Sequence, residues 1–145
     1  MEYGESFCAP DFPFKLKNVD IRMTQLFERE MEVSLTRYQI LNVLMEYGKQ
    51  TQRALQAKLR IDNAAITRHL KLLEESEYVE RVRNPENQRE IIVSLTETGK
   101  EIVSSCVRLG ENFIGQLFAG FTASDIEKLR DALMKMDQNM MEMES

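Results

Sequence analysis

DNAAITRHLKLLEE, residues 62–75, has two faces that ask for different surroundings. At about 100° per residue, Ile66, Leu70 and Leu73 fall on one side as an i, i+4, i+7 stripe, the pattern of a helix face that must be buried. The opposite side collects Ala64, Arg68 and Lys71, with Thr67 and Asn63 at its margin. Short residues let the first turns of a helix come close to another surface, and the two cations suit a surface that is negative. A helix entering the major groove of duplex DNA needs both properties. Its first turns must reach base edges, while Arg and Lys meet guanine or phosphate. An ordinary amphipathic helix with a solvated outer face looks much the same in isolation, and its sequence neighbours separate the two readings.

Upstream, Leu16, Val19, Met23 and Leu26 recur at steps of three and four, which predicts a first helix over 14–32. Phe7, Phe12 and Phe14 make its approach more apolar than a free tail requires, as if packed on another surface such as a second subunit. Thr36 with Gln39 reads as a capping box opening a second helix, buried through Ile40, Leu41, Leu44 and Tyr47 and stopped by Gly48. Thr51 is placed to cap a short third helix, 52–59, with Leu55 and Leu59 inward. Asp62 is placed to cap the helix quoted above. Two short helices joined by a tight turn, the second with an open outer face, form a helix-turn-helix.

Downstream the period changes. Tyr78 to Arg83 and Ile91 to Leu95 are β-prone runs on either side of the polar segment Asn84 to Glu90. A β-hairpin directly after a helix-turn-helix is a wing, and Arg89 falls near its expected tip. The minor groove attracts arginine there, where it is narrow and its negative potential is enhanced. Thr96 opens a long helix, 97–118, in which Gly110 and Gly115, with Gly120 just beyond, weaken the run or permit a bend. Thr122 with Asp125 opens the last, whose Ile126, Leu129, Leu133, Met136, Met140 and Met143 follow a heptad seam. A terminal helix with a sustained seam pairs with something, and the first helix has similar spacing. The fold class expected is mainly α with a small β-wing. A winged helix-turn-helix core (34–96) is flanked by N- and C-terminal dimerisation helices (12–33 and 97–145) in one domain.

Composition fits this reading. The chain has 145 residues, 43% hydrophobic and 30% charged, enough for a core and no more than one domain with an appended oligomerisation element. Its net charge of −5 would disfavour nucleic acid if spread evenly, but Lys49 to Leu95 carries +2 and the remainder −7. Binding follows the charges that face the phosphates. No signal peptide or membrane span is evident. Two cysteines, Cys8 and Cys106, are too few for a disulfide scaffold and suit a reduced, cytoplasmic setting. Cys106 reads as a buried helix residue.

Leu35-Thr36-x-x-Gln39, Ala64-Ala65-Ile66-Thr67-Arg68, Leu73-Glu74, Val79-Glu80-Arg81 and Leu95-Thr96-Glu97-Thr98-Gly99 together resemble the multiple-antibiotic-resistance regulator (MarR) family of bacterial winged-helix transcription factors. The match is dense over about 35–100. The resemblance implies a homodimer on pseudo-palindromic duplex DNA, usually a repressor relieved by a small ligand or by oxidation. Arg68 is then the base reader, with Asn63, Ala64, Thr67 and Lys71 completing the major-groove face. Arg53, Lys58, Arg81 and Arg83 are expected phosphate contacts, and Arg89 the minor-groove contact. Two positions depart from the family. The wing reads Asn87-Gln88-Arg89 where Asp-x-Arg is common, and Gln56 stands where a small residue is usual.

The resemblance also implies a small aromatic or phenolic effector between the dimer helices and the winged core, where Arg37 and Tyr38 lie, with Tyr47 nearby but read as core. Cys8, just ahead of the first helix, is a candidate redox trigger, although the family's peroxide sensors usually hold the thiol within that helix. An enzyme is not expected. His69 is the single histidine and reads as structural, and there is no phosphate loop, nucleophile motif or Cys/His cluster to hold a metal or cofactor. The remaining alternative is a winged helix that binds a protein through the same basic face without specific DNA binding.

Overall fold

The structure, a computed structural model, describes residues 11–145. Cys8 and Phe7 lie outside them. The elements are α1 (Phe12–Glu30), α2 (Leu35–Tyr47), β1 (Gln50–Thr51), α3 (Gln52–Leu59), α4 (Asn63–Glu75), β2 (Val79–Asn84), β3 (Asn87–Leu95), α5 (Glu97–Leu117) and α6 (Ala123–Glu144). Two compact units divide the chain within α5, Met1–Leu109 and Gly110–Ser145. Among the described residues, no helix is long and apolar enough to cross a membrane.

The first unit contains the winged helix-turn-helix together with α1 and the start of α5. Its core gathers Ile40, Leu41 and Leu44 from α2, Leu55 from α3, and Ile66, Leu70 and Leu73 from α4, with Val79, Val93 and Val103. Asp62 and Thr51 are N-caps as expected. Asp62 Oδ1 accepts from Ala65 N at 2.8 Å and Thr51 Oγ1 from Ala54 N at 3.0 Å. Gly48 ends α2 at a φ of 77°, a left-handed backbone that favours glycine. The second helix begins earlier than its expected box. Ser34, not Thr36, is the N-cap, its Oγ accepting from Arg37 N at 3.2 Å. Both residues can cap; starting at Leu35 leaves Val33 in the core at 5% exposure.

Tyr47 is not a core residue. It shares the azimuth of Ile40, but α2 ends there, past the edge of the core, and the ring is 57% exposed. Lys58 Nζ covers one face, 4.2 Å from the centroid.

Three antiparallel strands lie in the order β1-β3-β2. The sequence carries no sign of β1, because two residues have no periodicity to read; it pairs Gln50 with Val93 and Thr51 with Ile92. The wing strands run further than their apolar cores suggest. Asn84 pairs with Asn87, so the turn is Pro85-Glu86 and Arg89 sits in β3 rather than at the tip. Alternation turns Val79 and Arg81 inward while Glu80 and Val82 face out.

Gly99, in the first turn of α5, is buried against the other end of the wing. Thr96 Oγ1 accepts from Gly99 N at 2.9 Å and donates to Glu77 O at 2.6 Å, while Thr96 N donates to Tyr78 O at 3.1 Å. A Cβ on Gly99 would collide with that same Tyr78 carbonyl and lie 2.7 Å from Leu95 Cδ1. The carbonyl is held by its hydrogen bond and cannot swing away. Gly99→Ala is therefore expected to lower stability by about 1–3 kcal/mol in urea denaturation, the overpacking cost outweighing the up to ~1 kcal/mol that alanine gains in helix propensity.

Cys106 is buried at 2% exposure, as expected. Burial first, then the Glu32 carboxylate, pushes its thiol up, so little of the reactive thiolate is present at neutral pH. In α1, Phe12 and Phe14 are 51% and 64% exposed, and Val19 and Leu26 also face solvent.

The second unit holds the end of α5 and all of α6. The α5 helix runs uninterrupted through Gly110 and Gly115, and Gly120 takes the turn that follows at a φ of 85°. Thr122 and Asp125, expected to open the last helix, do so as a reciprocal capping box, at 3.1 and 3.0 Å. No residue of α6 is buried; Leu129, Leu133, Met140 and Met143 of its seam are 40–81% exposed.

Candidate nucleic-acid interface

The outer face of α4 is open. Asn63, Ala64, Thr67, Arg68 and Lys71 are all exposed, while Ile66, Leu70 and Leu73 on the reverse side are fully buried. The helix is thus fixed from behind and free in front, and the amphipathic split read from the sequence is the split the fold uses. His69 lies between the faces, half-buried, its Nδ1 out of water without a hydrogen-bond partner. Burial lowers its pKa, helped by the Arg37 and Arg68 guanidinium groups, so the ring is neutral at pH 7.

A cleft of about 500 Å³ joins α3, α4 and the wing. Arg53 and Gln56 contribute from α3, Asn63 from α4, and Asn87 and Arg89 from β3. Residues 36 positions apart in the chain, Arg53 and Arg89, therefore face one concavity beside the start of α4. Gln56, the larger residue at a usually small position, is accommodated as part of this wall. Asn87, the amide in place of an acid, uses its Oδ1 to accept from Arg89 N at 3.2 Å, which shapes the backbone and leaves the guanidinium exposed. Arg83 Nη1 donates to Gln88 O at 2.9 Å, bracing the opposite strand.

Arg81 is placed differently from the other expected phosphate contacts. Its guanidinium grips the Glu74 carboxylate at the end of α4, Nη2 to Oε1 at 3.1 Å and Nε to Oε2 at 3.3 Å, and its side chain is only 19% exposed. This two-point bond ties the wing to α4. The Arg81 hydrogen bond holds the Glu74 carboxyl below its ordinary value. A carboxylate depressed on folding adds stability above its unfolded pKa and loses it as pH falls through the folded one. Glu74 is 43% exposed, so Glu74→Gln is expected to cost less than ~1 kcal/mol at pH 7. The difference from the unsubstituted protein should vanish in acid, read by urea denaturation at both pH values.

Lys58, an exposed residue near the C-terminus of α3, is held over Tyr47 by the cation–π contact and lines no part of the cleft. Arg37 and Tyr38, the candidate effector residues, are half-buried at the start of α2, and the Tyr38 ring lies 5.6 Å from that of Phe27 in α1.

Sequence reasoning missed Gln52. From the first turn of α3 its Nε2 donates to Thr67 Oγ1 on α4 at 3.1 Å. A glutamine beside a capping threonine carries no local signal for this, because its partner is 15 residues away.

Residues 33–91 match the model of the MarR family. Across 142 residues, 97% of the chain, the sequence is 34% identical to the HTH-type transcriptional regulator YdgJ of Bacillus subtilis, itself uncharacterized, covering 87% of that protein. It is 28% identical over 115 residues to the multiple antibiotic resistance protein MarR of Salmonella typhimurium, covering 79% of this chain and 80% of that one. Among solved structures, a cysteine-to-serine mutant of MarR from E. coli complexed with operator DNA aligns with a TM-score of 0.79 at 25% identity, over 86% of this chain and 91% of that chain.

Proposed function

The chain belongs to the MarR family of transcriptional regulators, and on that basis we propose that it is a cytoplasmic, homodimeric repressor that binds a pseudo-palindromic duplex through α4 and the wing. The observation that carries this reading is the exposed Asn63, Ala64, Thr67, Arg68, Lys71 face on a helix anchored by three fully buried residues, with Arg53 and Arg89 beside it on one cleft. The similarity to an E. coli MarR captured with operator DNA supports duplex DNA as the partner. Arg68 reads a base, Arg53 and Lys58 meet phosphates from α3, Arg83 does so from the wing, Arg89 enters the flanking minor groove, and Arg81 holds the wing in place.

Self-association is supported by the exposed apolar residues of α1 and of α6, taken separately. Such surfaces on a charged protein mark protein contacts. A dimer places its recognition helices one DNA turn, about 34 Å, apart when it binds. Release follows from a small aromatic effector near Arg37 and Tyr38. Oxidation of Cys8 is the alternative trigger, and release by peroxide that persists in Cys8→Ser removes it.

The experiment is selection of a duplex from a random pool, followed by affinity measurements over a salt series. A two-fold symmetric site whose affinity falls steeply with salt is the expected result, since each neutralised phosphate releases counterion. Failure to enrich any sequence would overturn the DNA reading in favour of a protein partner on the same face.

A further inference from the structure

The hydroxyl of Thr67 is already spent inside the protein. Thr67 Oγ1 lies 2.7 Å from Asn63 O, a carbonyl that can only accept, so the hydroxyl proton is delivered there. Gln52 Nε2 lies 3.1 Å from the same oxygen. With its proton engaged, the hydroxyl can only accept from Gln52, and this fixes which way the Gln52 amide is turned. Gln52 Oε1 is consequently the end left out of water without a partner. A structure that leaves a buried amide oxygen unpaired to hold Thr67 in this rotamer gives the rotamer a purpose.

That purpose follows from what Thr67 has left to offer. It has no proton to give to guanine O6 or N7 or to thymine O4, and at most one lone pair. Thr67 is nonetheless exposed as a residue, so what it has left to present is its γ-methyl, and the exposed Ala64, three residues earlier on the same open face, adds a second methyl. Within the DNA-binding reading, on which this inference rests, we propose that Ala64 and Thr67 form an apolar contact that reads thymine through its 5-methyl group. Gln52 is the positioning residue that keeps the Thr67 hydroxyl turned inward. Base choice next to the Arg68 contact then depends on a methyl rather than on a hydrogen bond.

Replacing thymine by deoxyuracil removes that methyl and changes nothing else on the base-pair edge. One such substitution in each half-site of the selected duplex, scanned position by position, is expected to weaken binding about four-fold per half-site at one thymine position, the worth of one buried carbon. Thr67→Ser keeps both internal hydrogen bonds and loses the methyl; its thymine-to-uracil ratio should fall toward one, with a thermal melt confirming that the variant folds. Thr67→Val loses the hydroxyl and keeps a methyl, and should preserve the ratio. Equal binding of thymine and uracil duplexes by the unsubstituted protein at every position, while the selected sequence is still preferred, would overturn the methyl contact and leave the regulator reading intact. A ratio unchanged in Thr67→Ser or abolished in Thr67→Val would overturn the role of Thr67. Selection that yields no preferred duplex would overturn both readings.

Discussion

Arg68→Ala is expected to weaken binding to the selected duplex by about five- to 150-fold per half-site, ~1–3 kcal/mol, and to relax preference at one base position in each. Two symmetric half-sites would double that free energy in a dimer. The size follows from geometry and chemistry together. Arg68 is exposed on the open face of α4, one turn after Ala64, so nothing bulky at the helix start prevents a planar guanidinium from reaching guanine O6 and N7 with two hydrogen bonds. Because the side chain is exposed and no core contact depends on it, thermal stability should stay within about 0.5 kcal/mol of the unsubstituted protein. Electrophoretic mobility shift or fluorescence anisotropy on the selected site and on single-base variants measures both quantities. Equal weakening on every sequence, with no change in preference, would reduce Arg68 to a phosphate contact.

Leu70→Ala, two positions further on, should behave in the opposite way. Leu70 is fully buried, and its cluster joins α2, α3, α4 and the sheet. Removing its side chain loses transfer free energy and leaves a cavity among elements held from several sides, at a cost of about 2–5 kcal/mol. For a chain of this length that corresponds to a fall in Tm of roughly 5–15 °C, a large part of the ~5–15 kcal/mol that keeps a typical domain folded. Well below the new Tm, sequence preference should be retained, because no base-reading atom has been touched. Urea denaturation and anisotropy on the same preparation separate the two effects. If Leu70→Ala changed base preference without losing stability, the assignment of the two faces of α4 would be wrong.

Both expectations are legible in residues 62–75 alone. The stripe of Ile66, Leu70 and Leu73 and the open face around Arg68 are one-dimensional facts, since a helix of 3.6 residues per turn converts spacing directly into direction. Caps are local too, and Thr51, Asp62 and the Thr122–Asp125 box lie where their spacing places them. Local rules are less decisive where two choices are nearly equal. Ser34 and Thr36 can each cap α2, and packing of Val33 accompanies the choice of Ser34. Tyr47 shows the limit of periodicity, which gives a direction around the helix but not where the core ends.

What no local reading can reach is every arrangement whose partners are far apart in the chain. The two-residue β1 exists only because β3 offers Val93 and Ile92 to pair with it. The grip of Arg81 on Glu74, the meeting of Arg53 with Arg89 on one cleft and the hold of Gln52 on Thr67 all depend on how α3, α4 and the wing close on one another. Periodicity and capping are properties of neighbours along the chain and survive translation from sequence to helix. Which side chain meets which across elements is settled by the packing of the shared core, and it is that packing which turns an arginine read as a phosphate contact into the tie between wing and helix.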